Sequence, residues 1–140
     1  IDYVKKYIAL QQVRFNNQLN YQLKIENSVN LKSQVPKHIL YTYIENAIKH
    51  GLTNTNNLLI KIGVENKKNA LVLRVEDNGG GFNATNNTKI NSTGNGLLIM
   101  EKIYNLYARL YKKKIVHSII EIVSKNNKIV GVKVEIKISK

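Results

Sequence analysis

Apolar and polar positions alternate along this chain in two distinct periods. Tyr3, Val4, Tyr7, Ile8, Leu10, Gln11, Arg14 and Phe15 recur at helical spacing, which predicts a helix over residues 1 to about 18. Residues 21–26, YQLKIE, alternate like a strand. From Pro36 to His50 the apolar positions are Ile39, Leu40, Tyr43, Ile44, Ala47 and Ile48, one stripe of a helix. Proline suits a first helical turn, and Gly51 is placed to stop that helix. Residues 58–65 and 70–76 read as two strands of a hairpin around NKKN. Residues 83–93 form a polar run, long enough for a lid or a disordered stretch. A helix follows over 94–111, and residues 118–125 and 129–138 predict a last hairpin around NN. The order is helix, strand, helix, two strands, helix, two strands, an α+β arrangement with no internal repeat and no domain boundary.

The 140 residues suffice for one domain with a real core, and the 43% hydrophobic content is that of a globular chain. The absence of cysteine excludes disulfides and cysteine-based zinc sites and suits a cytosolic location. No run reaches the roughly 18 apolar residues of a membrane span, and no signal-peptide pattern is present. Because the chain begins with Ile1 rather than Met, we read it as a piece of something longer. Its net charge of +13, from 22 Lys and Arg against 9 Asp and Glu, suits polyanions. The lysines are scattered, however, and a solvated lysine-rich surface accounts for them better.

Three clusters carry candidate chemistry. Thr42, Glu45, Asn46 and Lys49 fall within an arc of roughly 100° on the second helix. A carboxylate, a carboxamide and an ammonium on one face suit a metal–phosphate complex. Taken alone, they more often make an ordinary solvated face. The second cluster is EDNGGGF, residues 76–82. Asp77 at a strand end can accept a hydrogen bond from an amino group, and the glycines let a flat base approach the backbone. By itself this stretch is also a good hairpin turn. The third is STGNGL, residues 92–97, where Gly94 and Gly96 precede a helix whose first amides can hold phosphate.

Taken in order, IENAIKHG resembles the N box, DNGGGF the G1 box and STGNGL the G2 box of the GHKL ATPase superfamily. YVKKYIALQQVRF, VPKHILYTYIENAIKHG and GVKVEIKI further resemble the connecting helix, N-box helix and last strand of LytS/YehU-type sensor histidine kinases. The resemblance implies the Bergerat fold, a two-layer α/β sandwich. Its mixed, mostly antiparallel sheet would carry helices on one face. Residues 1–140 would form one catalytic, ATP-binding domain, with residues 1–18 as its connecting helix.

It also implies roles. Asn46 would coordinate Mg²⁺, Lys49 and His50 would lie near the ATP phosphates, and Glu45 is a catalytic candidate. Asp77 would accept from the adenine amine, and Gly79 and Gly81 would shape the base pocket. Thr93, Gly94, Asn95, Gly96 and Leu97 would line the phosphate side, with the two glycines as lid hinges. In topoisomerases and MutL a water-activating glutamate stands four residues before the Asn. Here that position is Thr42, which fits a phosphotransferase. His38 superficially resembles a phosphoacceptor motif, but it lies on the N-box helix itself, eight residues before Asn46. We reject it as acceptor and read His117 as a surface residue.

The function implied is transfer of the ATP γ-phosphoryl to a histidine in a domain missing from this chain, itself monomeric and unable to label itself. A response regulator would be the downstream partner, and a membrane-anchored bacterial sensor kinase the parent, with this domain in the cytoplasm. The alternatives are a degenerate module acting through protein contacts and, from charge alone, a nucleic-acid binder.

Overall fold

The computed structural model describes residues 1–36, 38–81 and 93–139, with backbone only for 93–97. Three helices and five strands follow in the order α1 (Asp2–Arg14), β1 (Leu19–Ile25), α2 (Ile39–Gly51), β2 (Leu58–Lys67), β3 (Ala70–Asp77), α3 (Thr93–Tyr111), β4 (Ile115–Val123) and β5 (Ile129–Ser139). The strands form one sheet in the order β1-β2-β3-β5-β4. β1 and β2 run parallel, and the other neighbours are antiparallel. A parallel pair needs a crossover, and the segment carrying α2 supplies it.

The period-two pattern decides which side of the sheet is covered. Ile60, Ile62 and Val64 of β2 are opposite Asp77, Val75 and Leu73 of β3, and Val75 and Leu73 are opposite Val134 and Ile136 of β5. These apolar positions are buried with the α2 stripe, with Val4 and Ile8 of α1, and with Met100, Tyr104 and Tyr107 of α3. Tyr43 and Tyr104 share a buried hydrogen bond of 2.9 Å between their hydroxyls. The other side of the sheet is charged. Arg74 binds Glu135 at 2.7 Å and also Glu65, Lys137 reaches Glu135 at 3.1 Å, and Lys133 reaches Glu76 at 3.3 Å. The α+β class and the mixed sheet with helices on one face match the sequence expectation.

Element ends differ in instructive ways. α1 stops at Arg14 rather than near residue 18, because Asn16 and Asn17 take positive φ of 48° and 60°. Asparagine tolerates that conformation better than most residues. α2 begins at Ile39, not at Pro36, since His38 is left-handed with φ 64° and the Ile39 N–H bonds the Pro36 carbonyl at 3.2 Å. α2 does end at Gly51, but by space and not by a left-handed cap: a Cβ there would lie 2.4 Å from Leu58 Cδ1. β4 begins at Ile115, three residues before the expected 118. His117 breaks the apolar alternation in sequence, yet it sits on the helix-covered side. Its ring is 5.5 Å from that of Tyr104 and 6.5 Å from that of Tyr43, so it is half-buried and not the open surface residue expected.

Candidate nucleotide site

The glycine loop leaves the sheet at the end of β3. Asp77 is the last residue of that strand and faces the helix side, opposite Ile60 and Val132. Its Oδ1 accepts the Gly79 N–H at 2.8 Å. Burial pushes the carboxyl above its ordinary value, while the Gly79 and Val132 amides pull it back down. Asn78 turns the other way. Its Oδ1 accepts the Leu59 N–H at 2.7 Å, and its Nδ2 donates to the Asn57 carbonyl at 3.1 Å. Asn78 thereby pins the loop to the start of β2.

The glycines have intramolecular reasons. A Cβ on Gly79 would lie 2.4 Å from Gly51 Cα, so loop and helix end meet backbone to backbone. Gly81 has φ +80°, and a Cβ there would meet Ile129 Cγ2 at 2.3 Å. The sequence reading gave these glycines to a ligand; packing between distant elements already requires both. Asn54 completes the junction, donating to the Gly79 carbonyl at 2.8 Å and the His50 carbonyl at 3.1 Å. The Thr53 hydroxyl donates to that same His50 carbonyl at 2.6 Å, so the end of α2 is capped by side chains. Sequence reasoning missed Asn54, and nothing in the polar run TNTNN distinguishes it from its neighbours.

α2 presents two flanks. On one, Thr42 Oγ1 meets Met100 Sδ of α3 at 3.5 Å, and Asn46 stands half-buried one turn further on. His50, a turn beyond Asn46, is half-buried, and its Nε2 is a buried polar atom without a hydrogen-bond partner among the described residues. Burial and the nearby Lys49 charge lower its pKa, so the ring is neutral at pH 7. On the other flank, Glu45 is exposed and accepts the Tyr41 hydroxyl at 3.4 Å. Glu45 and Lys49 line a crevice of about 360 Å³ against Tyr7, Gln11, Arg14 and Phe15. The walls of that crevice do not include Asn46, His50 or Asp77. The single polar arc drawn on α2 from sequence is thus divided between two sides of the helix.

Thr93, Gly94, Asn95, Gly96 and Leu97 form the first turns of α3, so the two glycines lie inside the helix rather than ahead of it. The expected lid, residues 83–93, falls outside the described residues except for its last position. A larger cavity of about 490 Å³ lies elsewhere, between the starts of α1 and α2 and the segment around Leu31. It is mainly apolar and far along β3 from Asp77, being walled by Leu71 and Leu73.

A half-buried carboxylate thus stands at a strand end, a short loop is clamped to the end of α2, and His50 Nε2 has no hydrogen-bond partner among the described residues. Residues 32–138 match the model of the histidine kinase-, DNA gyrase B- and HSP90-like ATPase family. The chain belongs to this family. Among relatives of this ATPase domain, the sensor protein LytS of Staphylococcus epidermidis is 32% identical over 71% of this chain and 18% of its own length. The sensor protein kinase HptS of Staphylococcus aureus is 36% identical over 61% of this chain and 16% of its own. The chain therefore spans less than a fifth of the curated relatives it matches. The catalytic domain of the histidine kinase ThkA superimposes with a TM-score of 0.64, at 20% identity over 99% of this chain and 89% of that one. A mycobacterial sensor histidine kinase, MprB, gives 0.62 at 10% identity, covering 97% of this chain and 95% of its own. At such identities these structures speak for the fold alone, and the fold they share is the one expected from the three boxes.

The described residues fit a nucleotide-borne metal rather than a resident one. Among them no group of three or more His, Asp or Glu side chains could hold a metal ion. Mg²⁺ needs few protein ligands when phosphate oxygens complete its shell, and one carboxamide can serve.

Proposed function

We propose that this chain is the ATP-binding catalytic domain of a sensor histidine kinase and serves γ-phosphoryl transfer to a histidine in another part of the full protein. The observation that carries the reading is Asp77: a half-buried carboxylate whose Oδ1 is fixed by the Gly79 amide at 2.8 Å. A carboxylate so oriented accepts a hydrogen bond from the exocyclic amine of adenine without reorganising. Gly79 and Gly81 keep that wall of the pocket thin. Asn46 supplies its amide oxygen to Mg²⁺, which neutralises phosphate charge when bound. His50, neutral, offers Nε2 to a ribose or phosphate oxygen. The backbone amides of Thr93 to Leu97, at the start of α3, suit the phosphates, as helix N-termini do.

Catalysis here is positioning and charge neutralisation, with little covalent work for the protein. Thr42 occupies the place from which a carboxylate would activate water, which favours transfer over hydrolysis. Lys49 and Glu45 act in this reading from the α1 side, Lys49 through its long stem and Glu45 only indirectly. The whole chain works as one domain, α1 linking it to the acceptor segment. The parent is a membrane-anchored kinase with this domain in the cytoplasm and a response regulator downstream. No described helix of the chain itself is long and apolar enough to cross a membrane.

Titration with a fluorescent ATP analogue, with and without Mg²⁺, tests the reading. Losing a hydrogen bond to a charged group costs about 1.5–3 kcal/mol, so Asp77→Asn weakens binding by roughly 10- to 100-fold. Asn46→Ala removes the Mg²⁺ dependence, and Glu76→Gln, on the opposite face of the sheet, changes neither. If Asp77→Asn and Asn46→Ala both bind like wild type, the site is wrongly assigned. With γ-labelled ATP the chain alone stays unlabelled. Label on His38, whose ring packs against Tyr3 and Tyr41 at 5.2 and 5.7 Å, would refute the assignment of the acceptor to another segment.

A further inference from the structure

The fold gathers cations that lie far apart in the chain. Lys67 and Lys68 stand at the β2–β3 hairpin, and Lys112, Lys113 and Lys114 link α3 to β4. The ladder brings them to one end of the sheet. The Ser139 N–H donates to the Lys114 carbonyl at 2.9 Å, Ser139 is opposite Ala70, and Ala70 is opposite Lys67. Three strand spacings, about 14 Å, thus separate Lys114 from Lys67. Arg109 is in the last turn of α3. Lys32 belongs to the segment before α2, which Tyr107 holds by donating its hydroxyl to the Gln34 carbonyl at 2.5 Å. The carboxylates at this end are few. Glu65 is already bound to Arg74 and Lys67, Glu26 accepts the Asn66 N–H at 2.7 Å, and Asp2 opens α1. Among the described residues, Lys32, Lys68, Arg109 and the three lysines after α3 have no ion pair.

Apolar side chains stand among these charges. Leu31 and Leu110 are each 68% exposed, and Tyr111 is 48% exposed. The Tyr111 ring packs on Tyr107, with centroids 4.6 Å apart. A crevice of about 200 Å³ lies at the same end, its polar wall formed by Asn30, Ser33, Gln34, Asn66, Lys113 and Ser139.

We propose that this end of the domain is a docking surface for an anionic lipid bilayer. The ammonium groups meet the negative headgroups, and Leu31, Leu110 and Tyr111 enter the boundary between headgroups and acyl chains. The crevice beside Lys113 takes a headgroup phosphate. Each cation close to such a surface contributes about fivefold in affinity. Charge alone would suit a nucleic acid as well, but the apolar residues decide between the two. Exposed leucines find no partner on a phosphate backbone. Single strands need open aromatic platforms, and Tyr111 is already packed on Tyr107. The surface lies at the opposite end of β3 from Asp77, so the proposal goes beyond the nucleotide reading and does not depend on it.

Co-sedimentation of the chain with vesicles tests this, using phosphatidylcholine alone or with about one-third phosphatidylglycerol. The chain binds the anionic vesicles at about 0.1 M salt and leaves them at about 1 M, where the Debye length is about 3 Å. Lys113→Gln with Lys114→Gln weakens binding by about 25-fold. Lys125→Gln with Lys128→Gln makes the same change of charge in the β4–β5 hairpin, at the other end of the sheet, and weakens binding less than about threefold. The chain has no tryptophan, so Leu110→Trp reports insertion by a blue shift of emission on the anionic vesicles. Failure to bind anionic vesicles, equal binding to neutral ones, equal weakening by the two lysine pairs or an unshifted emission each overturns the proposal. So does tighter binding of duplex DNA with the same dependence on Lys113 and Lys114, which would assign the surface to nucleic acid. Circular dichroism melts confirm that every variant is folded.

Discussion

Gly79→Ala is a sharp test of the junction between the glycine loop and α2. The new Cβ would lie 2.4 Å from Gly51 Cα, 3.1 Å from Asp77 Oδ1 and 3.3 Å from Gly51 N. Carbon atoms rest at about 3.5–4.0 Å, so loop and helix end must part by roughly 1 Å. Both neighbours at Gly51 are backbone atoms, and neither can rotate away. Overpacking of this kind costs about 1–3 kcal/mol. The displacement also strains the Gly79 N–H bond to Asp77 and the Asn54 bond to the Gly79 carbonyl, 2.8 Å each, and weakening either adds about 1 kcal/mol. A stiffer unfolded chain returns about 0.4–1 kcal/mol. The net loss is about 2–3 kcal/mol, which for a chain of this size lowers Tm by about 8–12 °C. Gly63→Ala is the control, since its Cβ would meet only Arg74 Cβ at an ordinary 3.7 Å. That variant melts within about 1 kcal/mol of wild type. Urea denaturation and thermal melts of the pair measure both. A Gly79→Ala protein as stable as wild type would mean that the two backbones do not touch, and the clamp on Asp77 would go with them.

Two further outcomes follow from buried polar groups. Burial raises the Asp77 carboxyl above 3.8, so its contribution to folding is best below that pH, where it is protonated, and declines as pH rises through the folded value. Asp77→Asn is therefore at least as stable as wild type at pH 7, and its advantage narrows toward pH 3.8 in urea titrations, although the same change costs nucleotide affinity. A variant less stable than wild type at pH 7 would contradict that burial cost. The second concerns the Tyr43–Tyr104 pair. Either single change to Phe strands a buried hydroxyl and costs about 1–3 kcal/mol, whereas the double change costs less than the sum. Additive losses in chemical denaturation would show that the 2.9 Å bond contributes nothing to stability.

Much of this molecule is legible residue by residue. The α2 stripe from Ile39 to Ile48 and the alternation of β2, β3 and β5 are local patterns, and each element formed where its period lies. The three boxes, read in order, pointed to the family now shown by the match over residues 32–138. Element ends were less legible, because they turn on single residues. Asn16, Asn17 and His38 took left-handed conformations that no periodicity announces. His117 hid the start of β4 because a polar residue on an inward position looks like a surface one until Tyr104 is folded against it.

What the sequence determined alone was the identity and order of the elements and the residue types offered at their ends. These follow from side-chain spacing and intrinsic backbone preference, which act within a few residues. Tertiary structure decided which of those residues meet. It set Gly79 against Gly51 and Gly81 against Ile129, giving the glycine run a packing role before any ligand enters. It divided the polar residues of α2, leaving Asn46 and His50 on a different flank from Glu45 and Lys49. Among the described residues it placed β4 at the edge of the sheet, next to β5 alone. The physical reason is common to all of these. Contacts between elements depend on sheet register and helix rotation, which the whole core sets together and no single stretch of chain contains.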